Sequence, residues 1–259
     1  MQTTQIIKHI VDWLIAYGDE AKMKGYVVGV SGGIDSAVTS TLCARTANEV
    51  IVLNMPIHQA PEQLALAAHH IKWLIQNYKK IREMKLDLTS AFRAVENTLP
   101  SQIRDDLTMA NTRARVRMLT LYAVASHHKM LVVGTGNKIE DFGVGFFTKY
   151  GDGAVDISPI ADLVKSEVYA LGKELGIMGA ILNAKPTDGL WMDNRTDESQ
   201  IGATYAELEW AMRFESDPGG ENQLSARQRE VLRIYRRFHN INKHKMNPIP
   251  VCTIPDSLR

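Results

Sequence analysis

The chain has 259 residues, 45% of them hydrophobic and 23% charged, a mix that suits a globular protein large enough to bury a sizeable core. Lys and Arg total 30 against 29 Asp and Glu, and a net charge of +1 argues against a general nucleic-acid binder. Two cysteines, Cys43 and Cys252, lack metal-ligand spacing and are too few for a disulfide framework, so a reducing, cytoplasmic setting is expected.

At the start, Ile6, Ile7, Ile10, Val11, Leu14 and Ile15 fall at helical spacing, and Asp12 interrupts the apolar run. This predicts an amphipathic helix rather than a signal peptide. No segment approaches the ~18 apolar residues of a membrane span. A short apolar strand is predicted at 26–30, a helix at 36–48 and a second buried strand at 49–56, stopped by Pro56. A helix with proline in its first turn follows at 61–78, then a weaker third strand, "KIREMKL". Residues 90–99 read as a short helix capped by Thr89 or Ser90, and 103–127 as a long one.

The fourth strand lies within 129–137, where Leu131-Val132-Val133 reads as buried on both faces. A helix with an acidic start and a glycine stop is predicted at 162–176, and a long polar loop at 180–198. Helices at 199–214 and 223–239 follow, with "ESDPGGEN" between them and an extended tail from Asn242 onward. Strands alternating with helices predict an α/β fold: a doubly wound parallel sheet with helices on both faces. One domain is expected, with its sheet core over 25–176 and a helical extension over 199–259.

Ligands in such sheets sit at the carboxyl ends of the strands. Two of those ends are glycine-rich here: Ser31–Ser36, "SGGIDS", and Gly134–Asn137, "GTGN". A tight turn of backbone N–H groups opening a helix holds anions, and Gly32 and Gly33 permit close approach. Neither GxxxxGK[ST] nor GxGxxG follows strand one. Asp35 is informative, because a carboxylate beside a polyphosphate is repulsive unless a cation lies between them. It therefore reads as a Mg²⁺ ligand; the alternative is a helix cap in an ordinary turn.

Ser31–Ser36 resembles the SGGxDS loop of the N-type ATP pyrophosphatases, which cleave ATP between its α and β phosphates and adenylate a substrate oxygen. Further stretches narrow the resemblance. "NTRARVRM" (111–118), "GTGNKIEDFGVGFFTKYGDGAVDISPIADLVKSEV" (134–168), "KPTDGLW" (185–191) with "RTDE", and "NKHK" (242–245) resemble the ammonia-dependent NAD synthetases over nearly the whole chain. The resemblance implies that deamido-NAD is adenylated by ATP and that ammonia then displaces AMP, giving NAD. Glutamine-using relatives carry an extra domain that has no room before residue 31, so free ammonia is the expected donor.

The resemblance assigns ATP to Gly29, Val30, Ser31, Gly32, Gly33, Ile34, Asp35, Ser36, Thr135, Lys165 and Thr187, with Asp35 and Lys165 as catalytic residues. It assigns Mg²⁺ to Asp35 and Glu140, and deamido-NAD to Arg115, Lys149, Asp156, His244 and Lys245, some of them across a homodimer interface. No nucleic acid or membrane is expected as a partner. The spacing departs from the family in one place. Counting back eight residues from Lys149 selects Asp141 as the metal ligand, whereas counting forward from Thr135 selects Glu140. Glu140 is preferred, because a strand end fixes that distance and "DFGVG" can absorb an inserted residue.

Each assignment has a plainer reading. Arg115, with Arg113 and Arg117, reads otherwise as a solvated basic face, Lys149 as part of a turn, Asp156 as a local cap and Lys165 as an ion pair with Asp162. His69-His70 and His127-His128 lack metal spacing and read as packing or surface residues. Among rival functions, the "FFTKYGDG" block disfavours a GMP synthetase, and a tRNA-sulfurating enzyme wants paired cysteines. A non-catalytic nucleotide binder has no need of Asp35, Glu140 and Lys165 together.

Overall fold

The computed structural model describes residues 1–187, 195–217, 219 and 223–259. In chain order come α1 (Thr3–Glu20), β1 (Gly25–Gly29), α2 (Ile34–Arg45), β2 (Glu49–Asn54), α3 (Pro61–Asn77) and β3 (Ile81–Lys85). Next are α4 (Thr89–Thr98), a 3₁₀ turn (Ser101–Ile103), α5 (Asp106–His128) and β4 (Leu131–Val133). A π-helical turn (Ile139–Val144) leads to α6 (Lys165–Glu174), α7 (Gly179–Leu182), α8 (Asp197–Ile201), α9 (Tyr205–Ser216) and α10 (Ala226–Met246). The loop expected over 180–198 and the break expected over 215–222 fall partly outside the described residues.

All four strands are parallel, in the order β3-β2-β1-β4. The chain builds outward from β1 to β3 and returns to the other side of β1 for β4. That reversal leaves a crevice beyond the carboxyl ends of β1 and β4, where doubly wound sheets bind ligands. Side chains alternate across the sheet. Tyr26, Val28, Val50, Val52, Leu131 and Val133 pack towards α1, α2, α3 and α6. Val27, Ile51, Leu53 and Val132 pack towards α5. Helices thus cover both faces, as the alternating pattern predicts. The Tyr26 hydroxyl donates to the Leu14 carbonyl at 2.6 Å, fastening α1 to the first strand.

A second apolar cluster joins the C-terminal helices to the π-turn: Ile139 and Val144 pack with Ile201, Leu208, Ala211, Val231, Leu232 and Tyr235. Here the structure corrects the sequence reading. The helix predicted at 199–214 is two helices, α8 and α9, because Gly202 adopts a left-handed φ of 89° and ends the first. Thr204 then caps α9 in a capping box with Glu207. The helix predicted to stop at 239 runs on to Met246, so "NKHK" forms its last turn rather than an extended tail.

The helix predicted from 162 begins at Lys165, and α5 begins at Asp106 behind an Asp105 cap. Neither Thr89 nor Ser90 caps α4; instead Asp87 accepts from the Thr89 N–H at 2.9 Å.

His70 is a packing residue, as expected. It lies fully buried on α3, stacked on Trp73, with Nε2 3.0 Å from Ser40 Oγ. The Ser40 hydroxyl donates to the Ser36 carbonyl at 2.7 Å, so the neutral imidazole donates Nε2–H to Ser40. Burial lowers its pKa from 6.5 to about 4. The native state therefore refuses a proton that the unfolded chain accepts below pH 6.5. This contribution to stability is complete above that pH and disappears as the pH falls to about 4, a loss of about 3 kcal/mol. Urea unfolding at pH 7 and pH 4.5 should show His70→Gln losing less stability on acidification than the parent. Equal losses in the two proteins would rule this account out.

Candidate active site

Sequence and backbone build the anion cradle together. The parallel strand β1 ends at Gly29, and Gly33 is the N-cap of α2 without any side-chain cap. The first N–H groups of α2 therefore open towards the crevice with the positive end of the helix dipole. Gly32 has φ +90°, and a Cβ there would lie 2.7 Å from the Gln63 carbonyl oxygen and 3.0 Å from the Ala67 nitrogen. The turn is held by its own hydroxyls. Ser36 Oγ donates to the Gly33 carbonyl at 3.0 Å and accepts from the Ser31 N–H at 3.2 Å, while Ser31 Oγ accepts from the Gly33 N–H at 3.2 Å. The cradle's shape is thus held by bonds within the turn itself.

Across the crevice, Lys165 opens α6 and is 3% exposed. Its ammonium lies 2.6 Å from Asp35 Oδ2 and 3.0 Å from Glu140 Oε1. Burial alone lowers an ammonium pKa, but the attraction of Asp35 and then Glu140 outweighs it and raises Lys165 above its usual value. The charge is therefore fixed at any working pH. The plainer reading of Lys165, an ion pair with Asp162, does not hold, since that carboxylate is 2.8 Å from Lys138. Asn137 is fully buried and donates to Asp35 Oδ1 at 3.1 Å, while its own oxygen accepts from the Ile139 and Glu140 N–H groups. One amide thus orients the carboxylate of α2 and caps the turn that carries Glu140.

Glu140 and Asp141, alternatives by spacing, point different ways. Glu140 lines the crevice and meets Lys165. Asp141 lies against Gly136, where a Cβ would come within 2.2 Å of both of its oxygens. Burial, then Glu140, Asp152 and Asp35, push that carboxyl up to about 8. The segment 139–144 is a π-helix, a turn that holds one residue more than an α-turn. Such a turn can accommodate an additional residue between Thr135 and Lys149.

The cleft has a volume of about 280 Å³. Gly29, Val30, Ser31, Gly32, Gly33, Ile34, Asp35, Ser36, Thr135, Glu140, Lys165 and Thr187 all line it. Leu53, Met55, Met118, Leu121 and Val155 give it an apolar wall beside the cradle, a shape suited to a flat base next to a polyphosphate. Residues 188–191 of the "KPTDGLW" stretch lie outside the described residues.

The second predicted group gathers elsewhere, outside the lining of this cleft. Arg115 is exposed and donates to the Lys149 carbonyl at 3.3 Å. Lys149 Nζ reaches the His244 carbonyl at 2.8 Å. Lys245 Nζ turns inward to the carbonyls of Phe147, at 2.7 Å, and Gly145. Arg113, by contrast, stacks on Phe92, and Arg117 Nε donates to the Met55 carbonyl at 3.1 Å, so the three arginines do not form one solvated face. Asp156 stands apart: its carboxylate accepts from the Val132 N–H at 2.8 Å and from the Tyr122 hydroxyl at 3.1 Å.

Three site residues escape the sequence reading: Asn137, Asp197 and Tyr205. Asn137 could have been found, because Asn followed three residues later by Glu140 is a helix-start signature. Tyr205 carries no such local signal. It lies 65 residues from Glu140, yet its hydroxyl donates to Glu140 Oε1 at 2.5 Å, and its ring face sits 4.6 Å from the Lys165 ammonium.

A family model for NAD synthase matches residues 6–249. The NH3-dependent NAD+ synthetase of Alkaliphilus metalliredigens is 38% identical over 96% of this chain and 99% of its own length. Among solved structures, NMN synthetase from Francisella tularensis is 31% identical with a TM-score of 0.85, covering 99% of both chains. NH3-dependent NAD synthetase from Campylobacter jejuni, solved with a nitrate ion, is 25% identical with a TM-score of 0.80, covering 98% of this chain and 100% of that one. The lysine-free cradle, the carboxylate pair around Lys165 and a match spanning nearly every element converge, and the chain belongs to the NAD synthase family.

Proposed function

We propose that this chain is a ligase that amidates deamido-NAD with ammonia and ATP, releasing NAD, AMP and pyrophosphate. The observation that carries the reading is the convergence of Asp35, Glu140 and Lys165 at the mouth of a preformed anion cradle. In this reading the N–H groups around 32–36 receive the ATP phosphates, and Thr135, Lys165 and Thr187 line the rest of their path. The nicotinate carboxylate attacks the α-phosphorus and the α–β bridging oxygen leaves with pyrophosphate. Ammonia then adds to the adenylated carboxyl carbon, AMP departs with the bridging oxygen, and the nitrogen sheds its extra proton. No protein nucleophile is needed; the chain's contribution is to fix charge and geometry.

Asp35 and Glu140 suit a hard divalent cation, because two carboxylates from separate segments already converge on one positive charge. Among the described residues no group of three or more His, Cys, Asp or Glu side chains could hold a metal. Mg²⁺ typically takes one or two carboxylates and completes its shell with phosphate oxygens and water. When bound, Mg²⁺ supplies charge neutralisation between these carboxylates and the phosphates.

Arg115, Lys149, His244 and Lys245 are proposed to hold deamido-NAD, supported by their clustering around Lys149. Asp156 joins them by resemblance, with its carboxylate already engaged by Val132 and Tyr122. A homodimer belongs to the same proposal, by resemblance to the family. A cytoplasmic location is supported by two free cysteines, and no helix among the described residues is long and apolar enough to cross a membrane.

A second reading differs in the acceptor alone. The similarity to the NMN synthetase structure favours nicotinate mononucleotide in place of the dinucleotide. One experiment separates them. Purified protein with ATP, Mg²⁺ and ammonium is offered each acceptor, and AMP, pyrophosphate and amide are counted, with sedimentation run in the same buffer. Deamido-NAD should give the higher kcat/KM, ammonium should support turnover where glutamine does not, and the particle should sediment as a dimer. A tenfold preference for the mononucleotide hands the assignment to the second reading, and AMP formation with neither acceptor ends both.

A further inference from the structure

The motif Thr196-Asp197-Glu198 takes no part in the chemistry described above, and Tyr205 lies on a helix outside the sheet. The structure connects them. Glu198 Oε1 accepts from the Tyr205 backbone N–H at 2.8 Å, and Asp197 Oδ2 lies 3.2 Å from the Tyr205 hydroxyl. Two consecutive acids of α8 therefore grip the tyrosine at both ends. The ring is 6% exposed and spans the gap between α9 and the crevice. A single phenolic proton faces two carboxylates, and the 2.5 Å contact directs it to Glu140.

The next turn of the same helix adds a second tie. Glu209, four residues on and also buried, accepts from both the N–H and the hydroxyl of Ser166, each at 2.8 Å. Residues at i and i+4 share a helix face. This face of α9 therefore controls both partners of the central ion pair: Tyr205 holds Glu140, and Glu209 holds the residue beside Lys165.

We propose that Tyr205 is a positioning residue that fixes the orientation of Glu140 and backs the Lys165 ammonium, and that Asp197 and Glu198 serve to hold Tyr205. The inference rests on the proposed role of Glu140 as a cation ligand. Glutamate is among the side chains that lose the most rotamer freedom when fixed. A donor at Oε1 fixes it during folding rather than during ligand binding. Partners that orient a metal-binding carboxylate typically change affinity by about 10–100-fold when removed.

Tyr205→Phe keeps the ring, and with it the packing and the contact with Lys165, and removes only the donor. Mn²⁺ binding is read by electron paramagnetic resonance in the presence of a non-hydrolysable ATP analogue, alongside the Mg²⁺ dependence of turnover. The variant should bind Mn²⁺ about tenfold more weakly and need correspondingly more Mg²⁺ for half-activation, with its melting temperature within about 2 °C of the parent. Asp197→Asn should shift both readouts in the same direction, by less. In a Glu140→Gln background, Tyr205→Phe should add nothing. Unchanged Mn²⁺ affinity in Tyr205→Phe, or a full additional loss in the Glu140→Gln background, overturns the positioning role and leaves the proposed function standing. If the parent protein binds no Mn²⁺ with nucleotide, the site reading and this inference fall together.

Discussion

Replacing Lys165 with methionine should lower kcat/KM by about a thousandfold, the scale seen when a preorganised charge is removed from where transition-state charge develops. The ammonium is buried, its charged form is favoured by Asp35 and Glu140, and in the proposed function it faces the ATP phosphates. Methionine has nearly the same length and volume, so packing alone should survive. What does not survive is the compensation of Asp35 and Glu140, whose carboxylates are then left facing each other in a nearly closed cleft. Breaking a buried ion pair by removing one partner costs about 3 kcal/mol or more. AMP release in steady state and urea melts measure both effects. Retention of more than a tenth of parental activity would exclude Lys165 from the chemistry.

Gly32→Ala should be nearly as damaging, for a backbone reason. A left-handed conformation costs an L-residue about 1–2 kcal/mol, and the new methyl would press on the Gln63 carbonyl and the Ala67 nitrogen, neither of which is a flexible side-chain end. The cradle must shift, and misplacement by about 1 Å lowers rates about a hundredfold. Gly33→Ala provides the contrast. Gly33 has an ordinary φ of −86°, and a Cβ there meets only Ser31 Oγ, at 3.4 Å. That variant should match the parent in stability within about 0.5 kcal/mol, while its methyl enters the cleft and raises KM for ATP. Thermal melts and ATP titrations of the two variants separate a glycine required by the fold from one required by the ligand. Equal melting temperatures for both would refute the distinction.

The sheet was legible because its signals are local. Short apolar runs ending in glycine-rich turns mark β1 and β4, and the strand–SGG–acid–helix order marks the cradle. Lys165 and Glu140 were legible through a long ordered block. The remainder depends on contacts between distant segments. Apolar periodicity fades after residue 239, yet α10 continues for two more turns. The structure supplies the reason: His239 Nδ1 bonds the Gly143 carbonyl at 2.8 Å, Asn242 the Val144 carbonyl at 2.8 Å, and Lys245 the carbonyls of Gly145 and Phe147. A polar stripe on α10 thus satisfies carbonyls that the π-turn leaves without helical partners. No hydrophobic pattern encodes that, and the same holds for Tyr205, which reads locally as one more core aromatic on an amphipathic helix.

The π-turn has a further consequence. With six residues in a widened coil, the stretch between Glu140 and Lys149 includes a turn that holds one residue more than an α-turn would. The nucleotide-facing carboxylate is registered to the sheet through Asn137, while Lys149 is registered to α5 and α10 through Arg115 and His244. The two anchorages are decoupled, so chains of two different lengths can present the same pair of surfaces. A ruler laid forward from the strand measures a distance that the buried Asn137 amide holds rigid, and one laid backward from the lysine crosses the widened coil.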